Sequence, residues 1–434
     1  MRRFRAGLWR DPDFLRLWAA QTGSTFGSLA MGMALSFLAI NQLHATPFQL
    51  AVLSVAGLVP AVAAGPWVGV LVDRVRRRPV MVAADLARAV VVLAIPVAAL
   101  LGGLGMGLLY AVAALTSVLS LSFDVANRSH LPWLVSRSAL TEANSKLTGS
   151  GSVAEAIAFS STGWLVQWLT APVVFVVNAA TFVWSAAFVA RIAKPEPVPA
   201  GDEDRPPVLA EFTAGLRYVV RSAVLRALLG STFLVNLFQN MLGTLYVYYV
   251  LREIGLSAGI SGVAFALGGA AALLGAVFTG RITRWLGVGN AMVASLVVAA
   301  IANLLVPIST EATLLAFGLI LAQQFLGDSA LTVYEVADTS LVQASASDEW
   351  QGRVQVTLRM SMFAGQLAGT AVAGLLPFLV SVRATMVIAA AGMALAALPI
   401  LRSGIHRLRD IPVVEGDDGL ATAQEVSEAG IGVR

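Results

Sequence analysis

The stretch Gly69-Val-Leu-Val-Asp73-Arg74-Val-Arg76-Arg77-Arg78-Pro79 joins two long apolar runs and carries five charges. A connection this short and this charged leaves little room to turn, so it must lie at a membrane surface. Its four arginines mark the side of the membrane from which they were never translocated. The stretch therefore predicts a cytoplasmic loop between two membrane-spanning helices.

Composition supports the same interpretation for the whole chain. Hydrophobic residues make up 57% of the 434 residues and charged residues 12%, with a mean hydropathy of +0.79. That is too little polar surface to cover a soluble domain, which indicates an integral membrane protein. The net charge of +4 does not indicate nucleic-acid binding, because the basic residues lie in short loops. With no cysteine and three scattered histidines, we expect no disulfide, metal site or cofactor.

Twelve segments have the roughly 20 predominantly apolar residues that cross a bilayer. We predict an all-α integral membrane protein built of two six-helix halves. The first half comprises residues 14–41, 47–72, 79–101, 104–128, 147–169 and 171–192, and the second 224–251, 257–282, 286–307, 312–335, 356–380 and 383–401. We refer to these segments as predicted spans 1 to 12.

The orientation of the spans follows from their Lys and Arg residues. Of the 29 Lys and Arg residues, we assign 27 to one side of the membrane. They lie in the N-terminal arm, the connections from an even-numbered span to the next odd-numbered one, the span ends beside these connections, the central linker and the tail. Only Arg252 and Arg383 fall on the other side, so we predict cytoplasmic termini and a place in the inner cell membrane. The basic Met1-Arg2-Arg3-Phe4-Arg5 precedes a run longer than a signal-peptide core, which predicts a retained first span.

Three regions lie outside the predicted halves, which cover residues 14–193 and 224–401: an arm at 1–13, a linker at 194–223 and a tail at 402–434. The linker begins too polar and proline-rich to pack. Phe212, Leu216 and Val219 then share one helical face, which predicts a short amphipathic helix on the membrane surface. The acidic tail predicts disorder.

The two halves repeat at a single offset of 211 residues, without gaps. Agreement of turn, kink and acidic positions in one register predicts a parallel duplication around a central axis. The matches include Gly57 with Gly268, Gly69 with Gly280, Pro96 with Pro307, Gly107 with Gly318, Gly163 with Gly374, and residues 124–127 with 335–338.

Twelve spans, a basic loop after span 2 with a weaker copy after span 8, and a polar central linker together resemble the major facilitator superfamily. Gly69, Asp73, Arg74 and the residues from Arg76 to Arg78 match its signature loop, although Arg77 or Arg78 takes a place often held by glycine. The resemblance implies two halves that rock around a midplane substrate site.

Three further stretches are similar to the drug and siderophore efflux branch of that superfamily, which includes macrolide pumps and enterobactin exporters. They are residues 10–18, Asp85-Leu-Ala-Arg88-Ala, and residues 215–221. Span 5 departs from the pattern of many exporters, because Ala158-Phe159 replaces the Gly-Pro pair that precedes the closing Gly163. The branch implies export of small amphiphilic molecules.

The resemblance also implies a cytoplasmic latch. Asp73 would lie at the N-terminus of span 11, where a helix dipole carries about half a positive charge, and Gly69 would permit close helix approach. Alternatively, these charges only set topology. Asp85 and Arg88 at i,i+3 spacing, and Asp124 and Arg128 at i,i+4 spacing, would join the latch or form surface salt bridges. The candidate latch residues are Gly69, Asp73, Arg74, Arg76, Arg77, Asp85, Arg88, Asp124 and Arg128.

Two carboxylates lie deeper and are candidates for proton coupling. Glu155 is about 12 Å into span 5 at 1.5 Å per residue, and Asp328 about two turns above the inner end of span 10. A charge at the bilayer centre costs about 2.5 to 3.5 kcal/mol, so such residues usually face the protein interior or a watery cavity. For Glu155 the alternative is a structural hydrogen bond, because its repeat partner is the neutral Gln366.

Polar side chains that share one face of an otherwise apolar span would cost free energy if they faced lipid. We therefore predict that they line a substrate cavity. An amide and aromatic lining suits a bulky amphiphilic ligand. The alternative is hydrogen bonding between helices. The candidate cavity residues are Gln21, Thr25, Asn236, Gln239, Asn240, Tyr246, Gln323 and Gln324.

These observations favour a monomeric membrane transporter and not an enzyme, because the sequence contains no phosphate-cradling loop or metal-ligand cluster. We expect export of a small amphiphilic molecule by alternating access, with proton antiport. The alternatives are a lipid or lysophospholipid flippase on the same fold, a transport-inactive sensor or scaffold, and an uptake permease.

Overall fold

The structure is a computed structural model that describes residues 8–136, 139–169, 171–196 and 208–410. The side chains of residues 73, 169, 171, 208–212 and 348 lie outside this description. So do residues 1–7 of the predicted N-terminal arm, 197–207 of the predicted linker and 411–434 of the predicted tail. The described ranges are helical, without a β-strand. They form two compact units, Met1–Asp204 with Leu256–Ala266, and Arg205–Gly255 with Leu267–Arg434.

The first unit is built from long helices that pack around α1 and α3. Helix α3 packs against α4 and α6, α1 against α5 and α6, and α2 against α4. Its core includes the fully buried Phe14, Leu17 and Met81. The helices are α1 Pro12–Asn41, α2 Pro47–Arg74, α3 Arg77–Leu100, α4 Met106–Leu134, α5 Leu140–Leu169 and α6 Ala171–Ala190.

The second unit contains two helices that pass through a π-helical turn, one ending in Tyr249–Glu253 and one interrupted at Gln324–Asp328. Helix α8 packs against α13 and α14, and α10 against α12 and α14. The helices are α7 Val208–Arg221, α8 Ala223–Tyr248, α9 Ala258–Leu286, α10 Val288–Ile308, α11 Leu314–Gln323, α12 Ser329–Ser345, α13 Asp348–Leu375, α14 Val382–Met393 and α15 Ala397–Ser403.

The beginning of α9 packs with the first unit, against α5. The main-chain N–H of Gly259 donates to Gln167 Oε1 at 3.1 Å. Gly163 lies so close to α9 that a Cβ there would overlap the carbonyl oxygen of Ala258 and lie 3.2 Å from the Cα of Gly262. Glycine is required at this contact because the two main chains touch.

Among the described residues, ten helices are long and apolar enough to cross a membrane, or eleven if the bent pair Thr213–Arg221 and Ala223–Glu253 is one span. Helix α5, at predicted span 5, is not among the ten. Its 30 residues are long enough, but they include Glu142, Lys146 and Glu155. Twelve spans and cytoplasmic termini therefore stay predictions.

Several helices extend past the predicted boundaries. Helix α4 continues beyond Arg128 to Leu134, α5 begins at Leu140 rather than at 147, and α12 ends at Ser345 rather than at 335. The predicted spans end at polar residues, because hydropathy falls where a helix leaves the hydrocarbon core of the membrane. The helix itself continues there, since its main-chain hydrogen bonds do not depend on hydropathy.

The predicted amphipathic segment is α7, but it packs against α13. The rings of Tyr218 and Trp350 are stacked with their centroids 4.8 Å apart. A Cβ on Gly215 would lie 2.7 Å from the carbonyl oxygen of Arg353, and Val219 is fully buried. The side of α7 that carries Gly215, Tyr218 and Val219 therefore covers protein, and a position of this helix at the membrane surface stays a prediction.

The N-terminus of α10 is capped by main-chain carbonyls from the segment after α15. The N–H groups of Val288 and Gly289 donate to the carbonyl oxygens of Arg409 and Leu408, each at 3.1 Å. These bonds satisfy donors in the first turn of α10, which has no earlier turn to bond.

Candidate functional site

Glu196, in the segment that follows α6, holds the charged loop between α2 and α3. Its Oε1 accepts the main-chain N–H of Arg77 at 2.8 Å and its Oε2 that of Arg78 at 3.1 Å. The carboxylate thus caps the first turn of α3, where negative charge is favoured. The guanidinium of Arg77 lies 3.6 Å from the same carboxylate, which is 4% exposed.

Two further charged side chains fix the same segment, residues 193–196, which we name the anchor segment. Lys194 Nζ donates to the carbonyl oxygens of Trp133 and Leu134 at 2.7 and 2.9 Å, at the C-terminus of α4. The carboxylate of Asp13 accepts the main-chain N–H groups of Ala193 and Lys194 at 2.9 and 3.1 Å. The prediction that the linker is unpacked from residue 194 was wrong, because polar groups here satisfy helix ends.

The structure places the predicted latch residues in different environments. Arg77 contacts the anchor segment, whereas Arg74 and Arg76 are exposed at the end of α2 and the start of α3. The side chain of Asp73 lies outside the described part of the structure, so its latch to span 11 stays a prediction. A Cβ on Gly69 would meet no atom of the described chain within 4 Å, so the close helix approach predicted there is not observed.

Asp85 and Arg88 form an ion pair inside the first unit, with side-chain exposures of 0% and 1%. The alternative of a salt bridge on the helix surface was wrong, whereas a place for this pair in the cytoplasmic charge network stays a prediction. Arg88 is eleven residues inside α3, about 17 Å along the helix axis. The i,i+3 spacing predicted the pairing, but α3 is apolar on several faces and its sequence does not tell which face is buried.

Serines and aromatic rings surround this pair. Arg88 donates to Ser24 at 2.9 Å and to Ser28 and Ser120 at 3.2 Å. Its guanidinium carbon lies 4.9 and 4.5 Å from the ring centroids of Phe123 and Phe182. The pair therefore joins α1, α3, α4 and α6 through one buried cation.

Asp124 and Arg128 behave differently. Both are exposed on α4, and these two described side chains form no ion pair. The predicted i,i+4 salt bridge is therefore absent. Asp124 instead lies within electrostatic range of both Arg88 and Arg128 without a direct ion pair.

A polar chain crosses the second unit beside the π turn Gln324–Asp328. Tyr246 Oη donates to Gln323 Oε1 at 3.2 Å, and Gln323 Nε2 donates to Asn303 Oδ1 at 3.1 Å. It links α8, α11 and α10. The sequence analysis named Tyr246 and Gln323 but missed Asn303, which looks like an ordinary polar residue in an apolar run.

Gln324 and Asp328 lie together against α9. A Cβ on Gly268 would overlap Asp328 Oδ2 and lie 2.8 Å from Gln324 Nε2. Asp328 is half-buried and lies seventeen residues before the end of α12, about 25 Å along the helix. The prediction of two turns was wrong, because the helix continues past Glu335.

The remaining candidate cavity residues are scattered. Gln21 Oε1 accepts from Asn127 Nδ2 at 3.0 Å, and Asn236 Oδ1 accepts from Gln366 Nε2 at 3.4 Å. These contacts fit the alternative of bonding between helices. Asn240 Nδ2 donates to the carbonyl oxygen of Asn236 in its own helix. Thr25 and Gln239 are half-buried, as are Gln21, Asn236 and Asn240. The coupling candidate Glu155 is also half-buried and lies fifteen residues into α5.

Comparison with known proteins identifies the fold. The family model described as Major Facilitator Superfamily matches residues 17–355. The chain belongs to the major facilitator superfamily. It is accordingly a multi-pass membrane transporter with the all-helical fold of this superfamily.

Relatives in the superfamily include two uncharacterized MFS-type transporters. YfiS of Bacillus subtilis (strain 168) is 24% identical over 376 residues, which cover 83% of this chain and 86% of that one. The protein y4rN of Sinorhizobium fredii (strain NBRC 101917 / NGR234) is 27% identical over 398 residues, covering 91% and 95%.

Solved structures of transporters share the fold at low sequence identity. The nucleoside transporter NupG has a TM-score of 0.75 at 11% identity, with 90% of this chain and 99% of that chain covered. A bacterial homologue of the iron transporter ferroportin, in an inward-facing state, has a TM-score of 0.70 at 16% identity, with 90% and 98% covered.

Proposed function

We propose that this chain exports a small amphiphilic molecule by alternating access, with a proton moving in the opposite direction. Membership of the major facilitator superfamily supports transport, and the resemblance of residues 10–18 and 215–221 to the drug and siderophore efflux branch supports export. The observation that carries the proposal is Asp328, a half-buried carboxylate in the middle of the span Leu314–Ser345.

The π-helical turn supports a functional role for this carboxylate. Such turns are rare and occur frequently at functional sites, because one extra residue breaks the regular hydrogen-bond ladder. Here the turn carries Gln324 and Asp328, and Gly268 of α9 leaves the space that both side chains occupy. The π turn and the absence of a side chain at Gly268 therefore both make room for Gln324 and Asp328.

The polar side chains around the π turn could bind both a transported molecule and a proton. Placing a charged carboxylate in the middle of a span costs about 2.5 to 3.5 kcal/mol of free energy. Protonation or an adjacent cation lowers this cost. Tyr246 and Gln323 supply a phenol and an amide close by. Asp328 is our candidate for the proton, and the neighbouring amides and phenol for the polar part of the cargo.

The experiment uses purified protein in proteoliposomes with an imposed pH gradient and a pH-sensitive dye inside. Dyes, macrolides, siderophores and nucleosides are added to wild type, Asp328→Asn and Glu335→Gln. Glu335 lies on the same continuous helix and is exposed, which makes it a matched control. We expect a compound that elicits proton flux in wild type and Glu335→Gln but not in Asp328→Asn.

Other outcomes would contradict the proposal in distinct ways. Compounds that move without proton flux in all three proteins would exclude antiport and leave facilitated export. Movement of a fluorescent lysophospholipid alone would favour a flippase. No movement of any compound, in protein that is monodisperse, would favour a transport-inactive sensor or scaffold.

A further inference from the structure

An apolar groove with a volume of about 750 Å³ lies on the second unit, among α9, α10 and α12. Helix α9 contributes Phe278, α10 contributes Val298 and α12 with the adjoining π turn contributes Phe325 and Val333. Arg281 is the one charged residue in its lining. The groove therefore combines an apolar surface with a single cation.

One end of the groove is closed by a helix crossing. A Cβ on Gly275 would lie 2.5 Å from the carbonyl oxygen of Ser329, so α9 and α12 touch there. Ser329 Oγ donates to the carbonyl oxygen of Ala271 at 2.7 Å and reinforces this contact. From the crossing, the groove follows α9 toward Arg281 and Trp285.

The other end of the groove has two features of a membrane interface. Arg281 is five residues before the end of α9, about 8 Å along a helix that is long and apolar enough to cross the membrane. Trp285 is 84% exposed, and exposed tryptophan is typical of the membrane interface. The positive-inside rule assigns this end, with Arg281 and Arg284, to the cytoplasmic leaflet.

The guanidinium of Arg281 needs an anion. In the described part of the chain, Arg281 takes part in no ion pair with an Asp or Glu. A cation at the edge of the hydrocarbon is costly unless it is paired, and each Arg near an anionic membrane surface gains about 1 kcal/mol. An anionic headgroup with attached acyl chains matches both the cation and the apolar groove.

We propose that this groove is a binding site for an anionic phospholipid of the cytoplasmic leaflet. The phosphate contacts Arg281, and one acyl chain lies along Phe278, Val298 and Phe325. The groove can bind lipid whether or not the chain exports a small molecule. Phe325 also belongs to the π turn that carries Asp328, so the lipid contacts an element of the candidate transport site.

Native mass spectrometry of the detergent-purified full-length chain tests this proposal. Phosphatidylglycerol and phosphatidylcholine with identical chains are titrated against wild type, Arg281→Gln, Arg284→Gln and Ala294→Phe. Arg284 is an exposed arginine near the same end of α9 but outside the groove lining, and Ala294 lines the groove from α10. Size-exclusion profiles check that each variant is folded.

We expect wild type and Arg284→Gln to bind phosphatidylglycerol about five- to tenfold more tightly than phosphatidylcholine. Arg281→Gln should lose that preference, and Ala294→Phe should weaken both lipids because it fills the groove. The proposal is overturned if Arg281→Gln keeps the preference, if Arg284→Gln loses it equally, or if inorganic phosphate displaces the lipid.

Discussion

Glu196 and Arg77 lie 119 residues apart in the sequence, and the carboxylate of the first caps the main chain of the second at 2.8 Å. In the second unit, Val288 stands at the offset of 211 residues from Arg77 and donates its N–H to the carbonyl oxygen of Arg409. Each unit therefore caps its third long helix with the segment that follows its last helix. The first unit uses a charge where the second uses the main chain.

We predict that Glu196→Gln lowers the apparent unfolding temperature in detergent, measured by tryptophan fluorescence at one heating rate. The loss of charge weakens two helix-capping bonds and leaves Arg77 without its anion, at a cost of about 1 to 2 kcal/mol. Glu349→Gln, at an exposed position near the start of α13, is the control. Equal temperatures for the two variants would show that the cap contributes nothing.

The ion pair of Asp85 and Arg88 predicts a non-additive result. Arg88→Met alone leaves a buried carboxylate unpaired, which costs about 3 to 5 kcal/mol, whereas Asp85→Leu combined with Arg88→Met removes both charges. We expect the single variant to give little folded protein and the double variant to recover it, as measured by monodisperse yield. Arg128→Met, on an exposed arginine, should resemble wild type. A double variant no better than Arg88→Met would contradict this prediction.

Two glycines of α5 predict opposite effects of the same substitution. A Cβ on Gly163 would overlap the carbonyl oxygen of Ala258, whereas one on Gly151 would meet nothing within 4 Å. Gly163→Ala should therefore lower the apparent unfolding temperature. Gly151→Ala should raise it slightly, since alanine favours a helix over glycine by up to about 1 kcal/mol. If both substitutions shift the apparent unfolding temperature in the same direction, the close contact of α5 with α9 does not contribute to stability.

A neighbouring pair on α9 tests the candidate transport site. Gly268→Ala places a methyl group where Asp328 and Gln324 lie, whereas a Cβ on Gly269 would meet nothing within 4 Å. We expect Gly268→Ala to reduce compound-elicited proton flux several-fold in proteoliposomes, with unchanged folded yield, and Gly269→Ala to match wild type. Equal fluxes would mean that the arrangement around the π turn is not required.

Much of the fold could be predicted because its signals are long and repeated. Apolar runs and the offset of 211 residues indicate helices and two related halves without any knowledge of contacts. Contacts of the main chain leave no such signal. Glu196 lies among prolines and looked unpacked, because the groups that it binds are the amides of Arg77 and Arg78.

The candidate site was harder to predict for related reasons. Asp328 was expected about two turns from the inner end of its span, because the polar residues after Glu335 resemble a loop although the helix continues to Ser345. The π turn follows from packing and not from any residue pattern. Arg88 was counted among the cytoplasmic charges, since only the arrangement of Ser24, Phe123 and Phe182 around it reveals a buried cation.

The cap on α3 also sets an order of events during translation. At about 5 to 20 residues per second, the ribosome needs roughly 6 to 24 seconds to pass from Arg77 to Glu196, which lies 119 residues later. By then every helix of the first half has been synthesised, so the cap closes only when that half can be complete. A nascent chain that has passed α6 but not yet reached residue 196 holds α3 with its first turn still open.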